Sequence, residues 1–329
     1  MPRSLGSPSP RRRPCSAGRR PACTACKHPD PSFSRRLPVS DNFLDRREIG
    51  RTGLVTGRIG IGSTFDASTA VIESAFDRGV NYLYWGTVRQ PDFAKAIRNL
   101  SKQHRDELIL TIQSYSSDPG TIEAEVEEAL ASGGIENVDF LLLGNHAEPP
   151  HAGYYEVFEK MRDKGTVRFL SLSSHNRPML PTLLEAHAKG ETPIDILMLR
   201  YNPVHRGAEK DVFPYVPEAG GPFITTYTST RWGHLVDPAK MPEGEVPVSG
   251  RDCYRYALSH PAVDMVTAGP ANAAQMDQAL EALEKGPLDA DERERLERIG
   301  AYLYSQYAPQ YPDQGDAEDV AAGIAKGQE

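Results

Sequence analysis

The chain reads Gly79-Val80-Asn81-Tyr82-Leu83-Tyr84-Trp85-Gly86-Thr87-Val88-Arg89 at the point where its fold is decided. The segment before it, Ser68–Arg78, spaces its apolar residues as one face of a helix, and Gly79 supplies the stop signal. Asn81–Tyr84 then forms a short, mostly apolar run typical of a buried strand. A helix that ends in glycine and is followed at once by a strand is the repeating unit of an α/β fold.

The same alternation recurs along the chain. Strands are predicted at Arg58–Gly62, Asn81–Tyr84, Leu108–Gln113, Phe140–Leu143, Phe169–Ser173, Asp195–Leu199, Phe223–Thr226 and Met265–Ala268. Helices are predicted at Ser68–Arg78, Thr121–Ala131, Tyr154–Asp163, Met179–Ala188, Glu209–Val216, Asp252–Ser259 and Ala274–Leu283. This order predicts an α/β fold, a (β/α)8 TIM barrel with an N-terminal β-hairpin within residues 47–54 and an extra C-terminal helix at Asp289–Ser305. A doubly wound sheet is the alternative, disfavoured because no G-x-G-x-x-G follows a predicted strand.

Charge is distributed unevenly along the chain. Residues 1–39 hold nine Arg or Lys and one acid, a local charge of +8, which leaves −16 for the rest of a chain whose total is −8. We therefore predict a disordered basic N-terminal extension over residues 1–45, a barrel over 46–306 and a loose C-terminal tail over 307–329. The extension is interpreted as a start codon assigned too far upstream, with a transit peptide as the alternative. The acidic body argues against nucleic acid as a partner, and the lack of a run of about 18 apolar residues argues against a membrane.

Cysteine usage predicts a reducing compartment. Cys15, Cys23 and Cys26 lie in the basic segment and Cys253 stands alone in the body, so the pattern is not a disulfide framework and favours a cytoplasmic protein. Cys23-x-x-Cys26-x-His28 has weak metal-ligand spacing and no surrounding scaffold, so no metal is predicted.

Several motifs resemble those of the aldo-keto reductase superfamily. They are Gly50-Arg51-Thr52-Gly53-Leu54, the quoted Gly79–Leu83, Arg105–Leu110, Val138–Leu143, Gly165–Asn176, Arg200–Asn202 and Ser259–Val263. The resemblance implies a TIM barrel and hydride transfer from NADPH to a carbonyl. In the family, a Tyr donates the proton, a Lys lowers its pKa, an Asp pairs with that Lys and a His orients the carbonyl. Those four positions fall here on Arg89, Gln113, Tyr84 and Gly144 respectively.

The replacements predict that the standard chemistry is lost. Arg cannot release a proton near neutral pH, and an uncharged Gln113 cannot depress the pKa of a phenol. The predicted catalytic residues are therefore Tyr84 as a substitute acid, Arg89, Gln113 and His146, which lies two residues after Gly144. An exposed loop position is the equal alternative for His146.

The cofactor positions implied by the resemblance are also altered, because Met198 and Gln278-Ala279 replace family residues. Cofactor binding is predicted to fall on Ser173, Ser174, Tyr227, Gly269 and Asn272, so NADP binding is expected to be possible but weakened.

Side chains that follow the predicted strands indicate a ligand site, since catalytic groups of this fold lie at the C-terminal strand ends. The predicted substrate-binding residues are Trp85, His175, Arg200, Asn202, Arg231 and Trp232. Arginines favour a small anionic ligand, and tryptophans favour a sugar or an aromatic ring. Three functions follow: an enzyme with a rebuilt site acting on an anionic or sugar-like carbonyl or hydroxyl metabolite, an NAD(P)-dependent oxidoreductase that uses Tyr84 and His146, or a non-catalytic relative that binds a ligand or partner.

Overall fold

The computed structural model describes residues 42–86, 89–144 and 146–307. A two-stranded antiparallel hairpin comes first, with strands β1 at Arg47–Glu48 and β2 at Val55–Thr56. Eight further strands follow: β3 (Ile59–Gly62), β4 (Tyr82–Trp85), β5 (Ile109–Ser114), β6 (Val138–Leu143), β7 (Val167–Ser173), β8 (Ile194–Arg200), β9 (Phe223–Tyr227) and β10 (Met265–Ala268). The α-helices are α1 (Thr69–Asp77), α2 (Pro91–His104), α3 (Pro119–Gly133), α4 (Ala152–Lys164), α5 (Leu180–Ala188), α6 (Ala208–Asp211), α7 (Gly250–Leu258), α8 (Ala273–Lys285) and α9 (Ala290–Tyr307).

Strands β3 to β10 close into a parallel barrel in chain order, with β10 pairing back onto β3. The predicted (β/α)8 barrel, its N-terminal hairpin and its extra C-terminal helix are therefore confirmed. The alternative doubly wound sheet is wrong, because an open sheet would leave β3 and β10 as unpaired edges. Helix α2 was absent from the predicted elements. Among the described residues, no helix is both long and apolar enough to cross a membrane.

The strands have an inner and an outer face, because successive side chains of a strand point in opposite directions. The inner face carries a compact apolar cluster at the N-terminal end of the barrel, formed by Ile49, Tyr82, Ile109, Phe140, Ile196, Phe223 and Met265. The residues between them, such as Leu83, Leu110 and Leu141, belong to the much larger core between the barrel and its helices. This alternation decides which side chains reach the C-terminal opening, called the mouth below.

The segment Gly79–Leu83 anchors the N-terminal end of the barrel. Asn81 is buried; its side chain donates to the carbonyls of Val55 (3.0 Å) and Glu107 (3.1 Å) and accepts from Thr56 (3.1 Å), so it joins the hairpin to β4 and β5. Tyr82 fills the barrel interior, and its hydroxyl accepts from Thr111 at 2.9 Å. These residues therefore build the fold, whereas Tyr84, the next inward-facing residue of β4, faces the mouth.

The barrel begins and ends slightly outside the predicted boundaries. Phe43, within the segment predicted to be disordered, is buried beneath the guanidinium of Arg58, 4.7 Å from its ring centroid. Arg58 donates to the carbonyls of Leu258 (3.1 Å) and Val263 (2.8 Å). At the other end, helix α9 includes Tyr307. The remainder of the two predicted terminal segments, residues 1–41 and 308–329, lies outside the described residues.

Candidate functional site

Five inward-facing positions surround the mouth. Because Tyr82, Ile109, Ile196 and Phe223 lie on the inner face, side chains an even number of residues later on the same strands also point inward. The pattern brings together Tyr84 on β4, Gln113 on β5, Ser173 on β7, Arg200 on β8 and Tyr227 on β9. All five were predicted from the sequence as site residues.

Tyr84 and Gln113 form the central contact of the mouth. The phenol of Tyr84 donates a short hydrogen bond to Oε1 of Gln113, whose side chain is buried. Burial holds the pKa of Tyr84 well above its usual range, an effect to which the neighbouring Tyr115 adds. Tyr84 is therefore a neutral donor near pH 7, and its proton is already shared with an amide.

Gly144, at the end of β6, gives this pair its space. A Cβ at Gly144 would overlap Nε2 of Gln113 and would lie 2.6 Å from the ring of Tyr115. The ring of Tyr84 is confined in the same way, because a Cβ at Gly86 would lie 3.3 Å from it. Tyr84, Gln113 and Gly144 therefore pack against one another, so a change of side chain at one of these positions affects the space available to the others.

On the opposite side of the mouth, His175 and Tyr227 contact each other. The hydroxyl of Tyr227 lies 3.2 Å from Nε2 and 3.4 Å from Nδ1 of His175, and the rings meet edge to face with centroids 6.0 Å apart. A phenol within hydrogen-bonding distance of an imidazole can exchange a proton with it, so this pair has the composition of an acid–base site.

Trp232 lies above Arg200 at the edge of the mouth. The guanidinium of Arg200 is 5.7 Å from its ring centroid and that of Arg231 is 4.7 Å from it. Arg200 is buried, whereas Trp232 is 43% exposed, so its ring offers a surface to a ligand. Three non-glycine residues of this loop, Thr228, Arg231 and Trp232, have left-handed backbone angles (φ 57°, 53° and 51°). Such strained conformations persist only where the surroundings enforce them, and they cluster at functional sites.

Trp85 and Arg89 do not face the mouth, contrary to the expectation from the sequence. Trp85 follows inward-facing Tyr84, so its indole points outward and is buried against Gly133 of α3. Arg89 stacks over that indole at 5.2 Å and donates to the backbone carbonyls of Gly86 (3.1 Å) and Gln113 (3.4 Å). A ligand in the mouth therefore meets neither side chain directly.

His146 has a position intermediate between the two that were predicted from the sequence, a strand residue that points into the site and an exposed loop residue. Its backbone N–H donates to the carbonyl of Ser173 at 3.2 Å, which continues the strand pairing by one step. Its half-buried ring packs edge-on against Tyr154 of α4 with centroids 4.7 Å apart, and burial lowers its pKa. The hydroxyl of Ser174 donates to the carbonyl of His146 at 2.5 Å, so this serine fastens the loop.

Two further side chains that were predicted to bind a ligand, those of Asn202 and Arg231, make hydrogen bonds within the protein. Asn202 accepts from the backbone of Val204 and His205 at 2.9 Å each and donates to Thr228 at 2.9 Å, so it organises a turn. Arg231 is fully buried and donates to the carbonyl of Tyr307, at the end of α9, at 3.3 Å. Arg231 is therefore committed to its contact with α9, and Arg200 is the predicted arginine that lies among the inward-facing positions of the mouth. Across residues 42–86, 89–144 and 146–307, no group of three or more His, Cys, Asp or Glu could hold a metal.

Comparison with known proteins agrees with this geometry. A family model described as Aldo/keto reductase family matches residues 54–244, more than half of the chain, and the protein belongs to that family. The solved holo form of aldo-keto reductase AKR11C1 from Bacillus halodurans superimposes with a TM-score of 0.62 at 20% identity, covering 78% of this chain and 96% of that one. The apo form of the same protein gives a TM-score of 0.60 at 20% identity, with the same coverage. At that identity the likeness concerns the fold alone. No curated protein matches the chain.

Members of this family typically use NADP(H), and the described residues fit such a dinucleotide poorly. At the start of α8, the backbone N–H of Ala271 donates to Gln275 Oε1 (2.7 Å) and that of Gln275 donates to Asn272 Oδ1 (3.0 Å), so these two donors are already satisfied. The ring of Phe65 covers Gly269, where a Cβ would lie 2.6 Å from it. The sequence reasoning missed Phe65, although an aromatic residue just after a barrel strand was a signal for it.

Proposed function

We propose that the mouth binds a small, oxygen-rich metabolite, anionic or sugar-like, and moves a proton on it without the Asp-Tyr-Lys-His chemistry of the family. The observation that carries this proposal is the contact of 3.2 Å between the Tyr227 hydroxyl and Nε2 of His175. The pair combines two groups that can each give or accept a proton, which is the requirement for acid–base catalysis at a carbon next to a carbonyl.

Arg200 and Trp232 supply the binding part of the proposal. Guanidinium groups suit carboxylate or phosphate oxygens, because their donors form a planar fork. The half-exposed ring of Trp232 above Arg200 provides a flat apolar surface, which suits a sugar face or another planar group. A metabolite that carries an anionic group and a carbonyl or hydroxyl would thus be held between Arg200 and the His175–Tyr227 pair.

The Tyr84–Gln113 contact acts as a positioning element in this proposal. A phenol with a raised pKa is a poor proton donor, so the family's tyrosine-acid step has no replacement at this position. Gln113 uses its oxygen to accept from Tyr84, which directs its nitrogen toward the space over Gly144. A substrate oxygen near that amide would receive a neutral hydrogen bond.

A second candidate is an NAD(P)-dependent oxidoreductase in which Tyr84 and His146 replace the usual acid and orienting residue. Family membership favours it. The packing of the His146 ring against Tyr154 and the satisfied amides at the start of α8 count against it.

Proton exchange in deuterated water tests the first proposal without any cofactor. Panels of 2-keto acids, 2-hydroxy acids and sugar acids would be incubated with the protein, and loss of the proton signal beside the carbonyl would be followed by NMR. We expect catalysed exchange that is lost in Tyr227→Phe and His175→Asn and kept in Tyr302→Phe, a control at an exposed tyrosine. Binding without exchange would identify a non-catalytic relative, and the absence of both would refute the proposed mouth chemistry.

A further inference from the structure

A groove of 1040 Å³ runs between helices α2 and α3, outside the barrel. We call it the α2–α3 groove. Its charged and aromatic lining includes Trp85, Arg89, Lys95, Arg98, Glu125 and Glu128. The groove meets the mouth at Gln113 and Tyr115, which border both.

Cations predominate on one wall of the α2–α3 groove and anions on the other. The α2 side carries Arg89, Lys95 and Arg98 together with Asp92, whose carboxylate accepts from the hydroxyl of Thr69 at 2.9 Å, and the α3 side carries Glu125 and Glu128. Among the described residues, no ion pair within 4.0 Å joins these opposite charges, although Glu125 and Glu128 act electrostatically on Arg89. Opposite charges that face each other across a space without pairing favour a ligand that carries both signs.

The floor of the α2–α3 groove holds a buried donor that lacks an acceptor. Trp85 is 1% exposed, and its indole N–H has no hydrogen-bond partner among the described residues. Leaving such a group unsatisfied costs about 1–3 kcal/mol, so its presence in a cavity wall needs an explanation. The guanidinium of Arg89, stacked at 5.2 Å over the same ring, places a second donor beside it.

The walls also fix the distance between the two charge sets. Arg98 spans the groove and donates to the carbonyl of Ser132 on α3 at 2.8 Å. On the other wall, the hydroxyl of Ser114 donates to Glu125 at 2.5 Å, which holds that carboxylate in place at the end of β5. The half-buried Glu125 and Arg89 are therefore held by the fold, and the exposed Lys95 and Glu128 extend each charge outward.

We propose that the α2–α3 groove is a binding site for a zwitterionic small molecule of the amino-acid class. Its carboxylate would lie on the α2 side, against Arg89 and Lys95. Its ammonium group would lie on the α3 side, against Glu125 and Glu128. This site is independent of the chemistry proposed for the mouth.

The two tryptophans of the chain make the proposal directly testable. In a Trp232→Phe variant, Trp85 is the sole tryptophan, so indole fluorescence reports on the α2–α3 groove alone. The probes would be L-phenylalanine, its N-acetyl derivative, which lacks the positive charge, and its amide, which lacks the negative charge. We expect a saturable fluorescence change with the amino acid, and binding weaker by about tenfold or more with each derivative, since each loses one charge-assisted contact.

Matched variants on the two walls locate the site. In the Trp232→Phe background, Lys95→Gln and Glu128→Gln are each expected to weaken L-phenylalanine binding severalfold. Lys102→Gln and Glu127→Gln, on the same helices but outside the groove lining, are expected to leave it unchanged. Equal responses to all three probes, no saturable response at millimolar concentration, or equal effects of lining and control variants would overturn the proposal. Because none of these measurements uses the mouth, they separate its failure from that of the proposed function.

Discussion

The main chain of Gly144 and the side-chain amide of Gln113 approach so closely that no side chain fits between them. A Cβ at Gly144 would overlap Nε2 of Gln113, whose Oε1 accepts from Tyr84. Positions 144, 113 and 84 are therefore physically linked, because a residue with a side chain at position 144 would displace the amide that Tyr84 needs.

Gly144→Ala tests this linkage. We expect it to lower the free energy of unfolding by about 1–3 kcal/mol, as overpacking of a filled interior does. In a Gln113→Ala background the same change should cost much less, because the amide it displaces is gone. Urea denaturation of the two single variants and the double variant measures the coupling, and additive effects would contradict the linkage.

Tyr84→Phe removes one hydrogen bond and leaves the ring packing intact. The buried Oε1 of Gln113 then loses its donor, so we expect a loss of about 1–3 kcal/mol in the free energy of unfolding. Tyr302→Phe, at an exposed tyrosine of α9, should have almost no effect. Equal unfolding midpoints for the two variants would show that the Tyr84 hydroxyl contributes nothing to the mouth.

NADPH is expected to bind weakly, and to bind more tightly when the side chains that cover the start of α8 are removed. Phe65 covers Gly269, and the side chain of Gln275 occupies the N–H of Ala271. Fluorescence titration is therefore expected to show little binding by the parent protein and stronger binding by a Phe65→Ala, Gln275→Ala double variant. Tight binding by the parent, unchanged in the variant, would show that these two residues do not obstruct the site.

Stability is expected to fall below neutral pH partly through His260. Burial lowers the pKa of His260 to about 4, and its Nδ1 accepts from the backbone of Ala262 at 3.2 Å. Because the unfolded chain binds this proton from near pH 6.5 and the folded chain only near 4, the contribution of His260 to stability is present above pH 6.5 and is lost as the pH falls between these values. The ring packs 4.2 Å from Phe213, and Glu209 and Arg293 are the charged groups that act on it.

His260→Asn keeps an acceptor for Ala262 and removes the titration. The difference in melting temperature between the parent and this variant should therefore shrink as the pH falls from 7 to 4.5. Tyr302→Phe, at an exposed tyrosine of α9, should give a difference that hardly varies over that range. A constant difference for His260→Asn as well would mean that the folded protein accepts the proton without penalty.

Glu209 joins the end of β8 to helix α7. It accepts from the hydroxyls of Tyr201 (2.7 Å) and Tyr256 (3.3 Å) and pairs with Arg206 (2.7 Å). Glu209→Ala should cost about 1–3 kcal/mol in chemical denaturation, because buried donors lose their acceptor. Glu218→Ala, at an exposed position, serves as the control, and similar costs for the two changes would contradict this role.

The barrel could be predicted from the sequence because parallel strands covered on both faces give continuous apolar runs. Helix α2 carried comparable signals, with Pro91 in its first turn and buried Phe93, Ile97 and Leu100 at helical spacing. The inward positions Tyr84, Gln113, Arg200 and Tyr227 were also accessible, since strand alternation alone places them.

Other features of the site depend on contacts that no local pattern contains. Because side chains alternate along a strand, Trp85 could have been predicted to point away from the mouth. The position of Arg89 depends instead on carbonyl acceptors at the ends of two different strands. The turn that occupies Asn202 and the contact of Arg231 with Tyr307 likewise join distant residues. Asn272, predicted as a cofactor-binding residue, caps helix α8, and the side chain of Gln275 that takes the neighbouring amide became evident only in three dimensions.

The loop that carries Trp232, in which three residues have left-handed backbone angles, is tied to the C-terminal end of helix α9. Its neighbour Arg231 is buried and reaches the carbonyl of Tyr307, and Lys240 lies 5.2 Å above the ring of that tyrosine. The loop that carries Trp232 is thus held by a residue more than seventy positions away along the sequence. A change at the end of α9 would consequently act on this loop without altering any of the five inward-facing residues of the mouth.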